Sequence, residues 1–436
     1  MVTKICCLIS KFCFGAILFF MVSCEGPAGL PGEDANESCK LCHNPNVVDL
    51  VSAQYELSKH ARGDASFTET GNVSCAPCHE STGFKFVCTN NIPATFTLNS
   101  ATGKYVNDYF TSDSTTYGTF TCNTCHSNLH KSYDKTDFYP FTTTAPVNMT
   151  MWAGAKTIDI TQENSKSNLC IKCHQPRPAT TSSTLSDGNI VDYTYLVAHP
   201  SEVYYDSAVG NAKPNKLIPS YRTGIHYGSV GAIFAGKGGV EFTGSVPSYE
   251  SSEHTSTSSC QDCHMAKITG GAGGHTFNAK GNFGGCNVSG CHSDDPMNST
   301  SSELVNVQNE IRTLLELLAS KLKSGGVEIL HQDPDVTTNL WYGITTKNYD
   351  GNLNIYDPSS NPGGTFQNPA PAKTWTTGQI TTNKALRKFT SLKDVQLGAI
   401  LNFQLCLRDY SLGVHNYAYA KALLTNSIDA LTVAGF

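Results

Sequence analysis

The sequence has no excess of positive charge, few charged residues and no apolar run suited to an ordinary membrane span. Its 436 residues include 30 lysines and arginines against 36 acidic residues, a formal net charge of −6. A basic surface for nucleic acid is therefore not expected. The apolar run near the N-terminus, Phe12 to Val22, is too short to cross a bilayer comfortably.

Cysteine and histidine, by contrast, are abundant, with 18 and 14 residues. The pattern Cys-x-x-Cys-His occurs five times, and a sixth site keeps the Cys-His end with four residues between its cysteines. We number the sites along the chain: site 1 is Cys39, Cys42 and His43; site 2 is Cys75, Cys78 and His79; site 3 is Cys122, Cys125 and His126; site 4 is Cys170, Cys173 and His174; site 5 is Cys260, Cys263 and His264; site 6 is Cys286, Cys291 and His292.

This residue order is the one that covalent haem attachment requires. Two thiols add across the vinyl groups of a haem as thioethers, and the histidine that follows binds the iron as its proximal ligand. A zinc ribbon would instead pair one Cys-x-x-Cys with another and would not need a histidine after each. The sequence therefore predicts six haem c groups. Each porphyrin adds an apolar disc to the core, which fits a chain with 39% hydrophobic residues.

The N-terminal segment is typical of an exported protein. Residues 1–23 combine a positively charged start with an apolar core, as a signal peptide does. Met21-Val22-Ser23-Cys24 resembles the bacterial lipobox, which predicts acylation of Cys24 and an outer-membrane lipoprotein on the periplasmic or cell-surface face. Ordinary cleavage nearby, which leaves a soluble periplasmic protein, is the alternative. Residues 24–37, rich in Gly and Pro, predict a tether.

The rest of the chain is expected to be mainly α with extensive loops, a multihaem cytochrome c fold organised round packed haems with minor β-hairpins. Residues 38–300 form the predicted hexahaem domain, in which short helices carry each Cys-His end. Alternating polar and apolar residues at 94–98 and 117–121 predict a hairpin. Residues 301–436 form a predicted helical region that supplies one distal haem ligand.

Apolar periodicity in this C-terminal region predicts three helices. The first has about 20 residues from position 301 and ends at Gly325-Gly326. Residues 327–382 are predicted to be loop, with a hairpin near Asp350-Gly351. The second helix runs from about Ser391 to Asp409, and the third follows residues 413–416.

Two cysteines, Cys88 and Cys406, lie outside both the six sites and the N-terminal segment. They form one disulfide in an oxidising compartment or remain two unrelated buried thiols, because pairing does not follow from sequence.

Eight histidines lie outside the six sites, and a low-spin haem needs a second axial ligand from such residues. The expected distal ligands are His60, His130, His226, His254, His275 and His415. His130 comes so soon after His126 that we expect it to reach a neighbouring haem rather than its own. His199 is a reserve candidate, and His331 lies in a polar loop.

Four segments carry a family resemblance: SCQDCHMAK at 259–267, GGHTF at 273–277, GIHYGSVGAIFAGKGGVEF at 224–242 and SLGVHNYAYAKALL at 411–424. They resemble bacterial multihaem cytochromes c related to the pentahaem nitrite reductase and octahaem families. The resemblance implies shared haem packing and supports His226, His254, His275 and His415 as distal ligands. Those nitrite reductases bind their catalytic haem through a lysine in CxxCK, which this sequence does not contain. The resemblance therefore does not imply nitrite reduction.

The expected function is electron transfer at the cell surface or in the periplasm, through six haems that are all bis-histidine. Its partners would be other cytochromes or an outer-membrane complex, with the lipid as membrane anchor. The alternative is a multihaem oxidoreductase of a small nitrogen or sulfur compound, which needs one haem with an open coordination position. A third reading is a structural role through self-assembly of subunits.

Replacing Cys24 with Ala tests the predicted anchor. Because the acyl chains attach through this thiol, the variant should move from the membrane fraction to the soluble fraction, as fractionation and immunoblotting would show. Cys13→Ala, in the same segment, is the matched control and should leave the protein membrane-bound. Retention of the Cys24 variant in the membrane would contradict the lipoprotein prediction.

Overall fold

A computed structural model of the chain describes residues 39–62 except 41, 75–93, 118–149, 156–176, 191–206, 223–332, 343–353 and 391–436, with short pieces at 73, 96–99, 101, 104–107 and 179. The predicted signal peptide, Cys24 and tether lie outside the described residues, as do residues 354–382 of the predicted loop. The described structure is about 44% helical, with a few small sheets.

The helices are short in the first two thirds of the chain and long in the last third. They are α1 Val48–Glu56, α2 Lys59–Arg62, α3 Ala76–His79, α4 Ser81–Thr89, α5 Cys122–Cys125, α6 Gln162–Ser165, α7 Ser167–Ile171, α8 Tyr193–Ala198, α9 Val230–Phe234, α10 Glu253–Thr257, α11 Cys260–His264, α12 Ser302–Lys321, α13 Asp394–Leu407 and α14 Tyr417–Val433. Two 3-10 turns, Lys135–Phe138 and Gly274–Thr276, complete the helical elements of the described residues.

Five two-stranded antiparallel sheets lie between these helices in the described part of the chain. The strands are β1 Phe96–Asn99, β2 Lys104–Asn107, β3 Val147–Asn148, β4 Thr157–Ile158, β5 Val203–Asp206, β6 Lys323–Ser324, β7 Val327–Glu328, β8 Leu330–Gln332, β9 Tyr349–Leu353 and β10 Ser391–Lys393. β5 pairs with the distant β10, and each other strand pairs with its neighbour in sequence.

The three predicted C-terminal helices are confirmed, with corrections at their ends. α12 has 20 residues, but Gly325 and Gly326 lie beyond it, at positive φ in the turn between β6 and β7. Two central residues at positive φ suit a tight hairpin turn. α13 begins at Asp394 rather than Ser391, because residues 391–393 form β10.

Two predicted hairpins are placed wrongly. β1 pairs with residues 104–107, whereas residues 118–121 of the predicted second strand have no strand structure. A nearer segment closes a smaller loop, which costs less entropy. Asp350 and Gly351 lie within β9, which pairs with β8, rather than in a turn. Positive φ at Gly351 and an irregular register there show a bulge, which the turn signal did not distinguish from a hairpin loop.

One core joins both parts of the chain. Its buried apolar residues range from Val147 to Leu431, across the predicted boundary at residue 300. At its centre α13 is buried along all 14 of its residues, packed by α14, α12, α8 and β9. A helix that is mostly apolar and buried on every face is stable only in such surroundings. Among the described residues, none of the helices has the length and apolar character needed to cross a membrane.

Polar side chains on α13 hold the loops that run past it. Gln404 donates from Nε2 to the Thr223 and Gly351 carbonyls at 2.8 and 2.7 Å, and its Oε1 accepts from Ile225 N–H at 3.1 Å. Gly224, at φ 135°, passes so close that a Cβ would overlap the Gln404 side chain. The segment that ends at His226 is therefore fixed to α13.

Asn402 of α13 holds the next loop, which passes α13 at Val240, in the same way. Its Nδ2 donates to the Val240 carbonyl at 2.7 Å and to Ser427 Oγ at 2.9 Å, and its Oδ1 accepts from Val240 N–H at 2.7 Å. The side chain is fully buried. Three buried polar groups therefore depend on this one amide.

Replacing Asn402 with Ala should destabilise the protein by about 3 kcal/mol, because it leaves buried donors and acceptors without partners. A lower midpoint in chemical denaturation would show this. Val433→Ala, on α14 but with a side chain 90% exposed, should leave the midpoint nearly unchanged. Equal midpoints for Asn402→Ala and the unaltered protein would contradict the role given to the amide.

Candidate functional site

Each of the six Cys-His sites is closed by a backbone hydrogen bond or a helical turn. In sites 1 to 4 the histidine N–H donates to the carbonyl of the first cysteine, at distances from 2.7 to 3.1 Å. Site 5 lies within α11. Residues three and four apart on a helix share one face, so one turn brings the two thiols and the imidazole to the same side.

Site 6 reaches the same closure without a helix. Its residues form turns rather than the predicted short helix. The His292 N–H nevertheless donates to the Cys286 carbonyl at 3.0 Å, so the two extra residues are taken up within the loop. Gly290, at φ 84°, supplies the left-handed conformation that this wider loop needs. The backbone of site 6 is therefore closed in the same way as that of sites 1 to 4, despite its wider cysteine spacing.

Each motif histidine faces one of the six predicted distal ligands. The ring centroids are 5.8 Å apart for His43 and His130, 6.1 Å for His79 and His226, 6.4 Å for His126 and His275, 5.9 Å for His174 and His60, 6.2 Å for His264 and His415, and 6.3 Å for His292 and His254. Every motif histidine has one such neighbour, and no two motif histidines have the same one.

These separations match two ligands on opposite sides of one metal. A metal-bound imidazole nitrogen lies about 2 Å from the metal and its ring centroid about 1 Å further, so two such centroids lie about 6 Å apart. Within the described residues, three or more His, Cys, Asp or Glu side chains do not gather as a metal-binding group. Each pair supplies two nitrogens, the number that an iron already held by four porphyrin nitrogens takes from protein.

The environment of His174 also fits a large apolar group. Its ring borders a space open to water, yet burial, followed by the nearby His60, His264 and His415, lowers its pKa to about 4. A ring in bulk solvent would keep an ordinary pKa, so this space lies inside the protein. Burial also lowers the pKa of His60 and His275, which favours the neutral imidazole that binds metals.

Hydrogen bonds at Nδ1 leave Nε2 of several rings to face the partner ring. Nδ1 of His126 donates to the Phe138 carbonyl at 2.7 Å and that of His264 to the Phe277 carbonyl at 2.9 Å. His226 and His254 bind backbone carbonyls in the same way, of Tyr227 and Val414. An acceptor at Nδ1 fixes the tautomer with a free Nε2.

His415 differs from these because its Nδ1 partner is a carboxylate. It donates to Asp409 Oδ1 at 2.7 Å. Burial disfavours the charged imidazole, but the charge and hydrogen bond of Asp409 outweigh it and raise the pKa of His415. Asp409 was not singled out from the sequence. An acidic residue shortly before the Gly-Val-His-Asn turn is the only signal that could have indicated it.

The two remaining histidines do not face a motif histidine. His199 stacks on Tyr195 with ring centroids 4.0 Å apart, and its Nδ1 contacts the Tyr195 carbonyl at 3.1 Å. His331 lies in strand β8 rather than in the predicted polar loop, and it is fully buried beside Asp350, with Nδ1 and Oδ2 3.2 Å apart. The pairing of β8 with β9 explains this difference, since the partner strand, Tyr349–Leu353, lies further along the chain. Their positions agree with their lower rank as candidate ligands.

Cys88 and Cys406 are free thiols in separate places. Cys88 packs beside Cys78, Val87 and Ile92. Cys406 lies in the core of α13, where its thiol contacts the Ala420 carbonyl at 3.9 Å. The structure therefore has no disulfide between them, and the reading as two unrelated thiols holds.

Site 4 contacts two other sites through its cysteines. The Cys173 thiol lies beside the Cys78 thiol of site 2, and each of the two thiols contacts a backbone carbonyl of the other site, at 3.8 and 3.7 Å. The Cys170 thiol lies beside the Cys260 thiol of site 5. Cys260 N–H also donates to Ser167 Oγ at 3.0 Å. Sites 2, 4 and 5 thus form a contiguous row.

Phe277 joins sites 3, 4 and 5. Its carbonyl accepts from His264 of site 5, and its ring lies 4.9 Å from that of His60, which faces site 4. The His275 ring, which faces site 3, is 5.7 Å away. Gln54 Oε1 accepts from His275 N–H at 3.0 Å and so connects α1, next to site 1, to the same cluster. No local motif indicates that Phe277 occupies this shared position.

Sites 1 and 6 lie at the edges of this arrangement. His130, four residues after His126, faces His43 of site 1, as expected for a ligand to a neighbouring site. His254 faces site 6, and its Nδ1 donates to the carbonyl of Val414, next to His415. Burial, followed by the nearby Cys286 thiol of site 6, raises the pKa of Cys263 to about 12. Sites 5 and 6 are therefore neighbours.

Comparison with known proteins adds no relative from which a role could be carried over. No family model matches the chain, and neither a curated protein nor a solved structure matches it.

Proposed function

We propose that this chain is a hexahaem cytochrome c that transfers electrons, in which each haem has two thioether bonds and two axial histidines. The six facing histidine pairs carry this proposal, since each joins one motif histidine to one histidine outside the motifs. The proposed fold is correspondingly a multihaem cytochrome fold, in which short helices and loops pack round cofactors.

Two histidines on opposite sides of an iron leave no coordination position for a substrate. A bound haem supplies one-electron exchange between ferric and ferrous iron. In four of the six pairs, a backbone carbonyl that accepts from Nδ1 would hold one of the two rings in place in either oxidation state. The pairing therefore favours a carrier over the alternative, an enzyme acting on a nitrogen or sulfur compound, which needs an open position.

Contacts between the sites support a connected path. Site 4 contacts sites 2 and 5 through its cysteines, Phe277 connects sites 3, 4 and 5, and sites 1 and 6 adjoin sites 3 and 5. All six sites therefore belong to one network, in which sites 3, 4 and 5 each have three neighbours. Such spacing would let an electron pass between sites without crossing solvent.

Exposed ends of this network suit exchange with partners. Cys39 of site 1, Cys122 of site 3 and Cys291 of site 6 are exposed, whereas Cys75 of site 2 is buried. We propose that other cytochromes or an outer-membrane complex dock near sites 1 and 6, and that the lipid at Cys24 holds the protein at the outer membrane.

The first test of this proposal is the number of haems. Mass spectrometry of the denatured protein should show six covalent haem additions, one for each site. Cys291→Ser should remove at least the thioether made by that residue, so haem at site 6 should be lost or held by one bond. Cys88→Ser, outside the sites, should keep all six unchanged. Five additions in the unaltered protein would leave site 6 empty.

The second test is the closure of the irons. All six haems of the unaltered ferric protein should be low-spin, and the reduced protein should not bind carbon monoxide. His275→Ala removes the ring that faces His126, so one of six haems should become high-spin and bind carbon monoxide while remaining covalently attached. His199→Ala removes a histidine that faces no motif and should leave the absorption spectrum unchanged.

A high-spin haem in the unaltered protein, with turnover of nitrite, hydroxylamine or a sulfur oxyanion, would contradict the carrier proposal. The alternative reading as an oxidoreductase would then replace it. An unchanged spectrum in His275→Ala would show that this histidine is not a ligand.

A further inference from the structure

The ligand pair of site 5 has a buried carboxylate at Nδ1 of one of its two rings. His415 donates from Nδ1 to Asp409 Oδ1 at 2.7 Å, and the Asp409 side chain is 2% exposed. For His126, His226, His254 and His264 the defined Nδ1 partner is a backbone carbonyl. A full negative charge thus replaces a carbonyl dipole at one site.

The charge of Asp409 is directed at His415. In the described part of the chain, the one ion pair that involves Asp409 is with His415. The neighbouring cation, Arg408, points elsewhere, to the Ile225 carbonyl and over the Tyr227 ring. Ser411 is the other partner, and its Oγ donates to Asp409 Oδ2. Because the group is buried, its field is screened less than that of a surface carboxylate.

A carboxylate at Nδ1 makes the imidazole a stronger electron donor through Nε2. A stronger axial donor stabilises ferric iron relative to ferrous iron and so lowers the reduction potential. We propose that Asp409 is a positioning and tuning residue that lowers the reduction potential of the haem at site 5. This inference rests on the proposed function, since it requires haem at that site.

Site 5 is one of the sites with three neighbours, so tuning there would act on several contacts. It adjoins site 4 through Cys260 and Cys170, site 6 through Cys263 and Cys286, and site 3 through Phe277. If haem is held at these sites, site 5 would gain the one electron that a neighbouring site loses, so the exchange balances without a proton. A lower reduction potential at site 5 would favour its ferric form, so an electron that reached it would move on to a neighbouring site.

Asp409→Asn tests the inference with little change in shape. The asparagine Oδ1 can still accept from His415, so the ligand stays in place while the charge is lost. In a potentiometric titration followed by absorption or electron paramagnetic resonance, one of six components should move to a more positive potential. The same component should be the one lost from the low-spin set in His415→Ala, which identifies it as site 5.

Ser411→Ala provides a test of opposite sign. Removing the hydroxyl that donates to Asp409 leaves more of the carboxylate charge for His415, so the same component should move to a more negative potential. A purely structural disturbance would not shift the two variants in opposite directions. If Asp409→Asn does not fold, Ser411→Ala decides alone, and an unchanged potential overturns the inference.

Asp350→Asn is the matched control. Asp350 is also a buried carboxylate bonded to a histidine, His331, but that histidine does not face a motif histidine. Its loss should leave all six potentials unchanged. Six low-spin haems whose potentials are the same in Asp409→Asn and the unaltered protein would overturn the inference and leave the proposed function intact. A protein without six low-spin haems would instead contradict the proposed function.

Discussion

The arrangement of this chain depends on one constraint, the facing of two imidazoles from opposite sides of each proposed haem. A Cys-His motif fixes one ligand locally through a single turn. The opposite ligand must come from another segment, often far away in sequence, as His226 does for His79. Each pair is therefore a long-range contact that fixes one loop against another. With six such pairs, loops with little secondary structure still have defined positions.

The C-terminal helices make three of these long-range contacts possible. α13 is buried on all sides, and its Gln404 holds the segment before His226. Asn416 caps α14 and accepts from Ser252 N–H at 2.9 Å, which fixes the loop before His254. His415 itself stands between the two helices. The helical region thus does more than supply one ligand, because it positions the opposite ligands of sites 2, 5 and 6.

Sequence spacing predicted the members of these pairs, but it could not predict their partners. A histidine next to a Cys-x-x-Cys is set by local chemistry, and the surplus of histidines pointed to the opposite ligands. Which of them faces which motif depends on loop paths and core packing, and only for His130 did chain geometry give an indication. Asp409 and Phe277 were missed because each acts through tertiary contacts and neither belongs to a local motif. The long helices were predicted well because their apolar periodicity extends over many turns, whereas short strands such as β10 depend on a distant partner.

The distribution of buried residues shows where the protein relies on its proposed cofactors. α13 and α14 bury most of their side chains against protein. α1, α10 and α11, which surround sites 1 and 5, bury none. Short helices without a buried apolar face are not stable by themselves in water, so these helices need apolar surface in addition to the hydrogen bonds that they make. Haem discs would supply that surface. We infer that the C-terminal region can form its core from the chain alone, whereas order around the Cys-His sites follows haem attachment, so the same groups that would carry electrons also complete the fold.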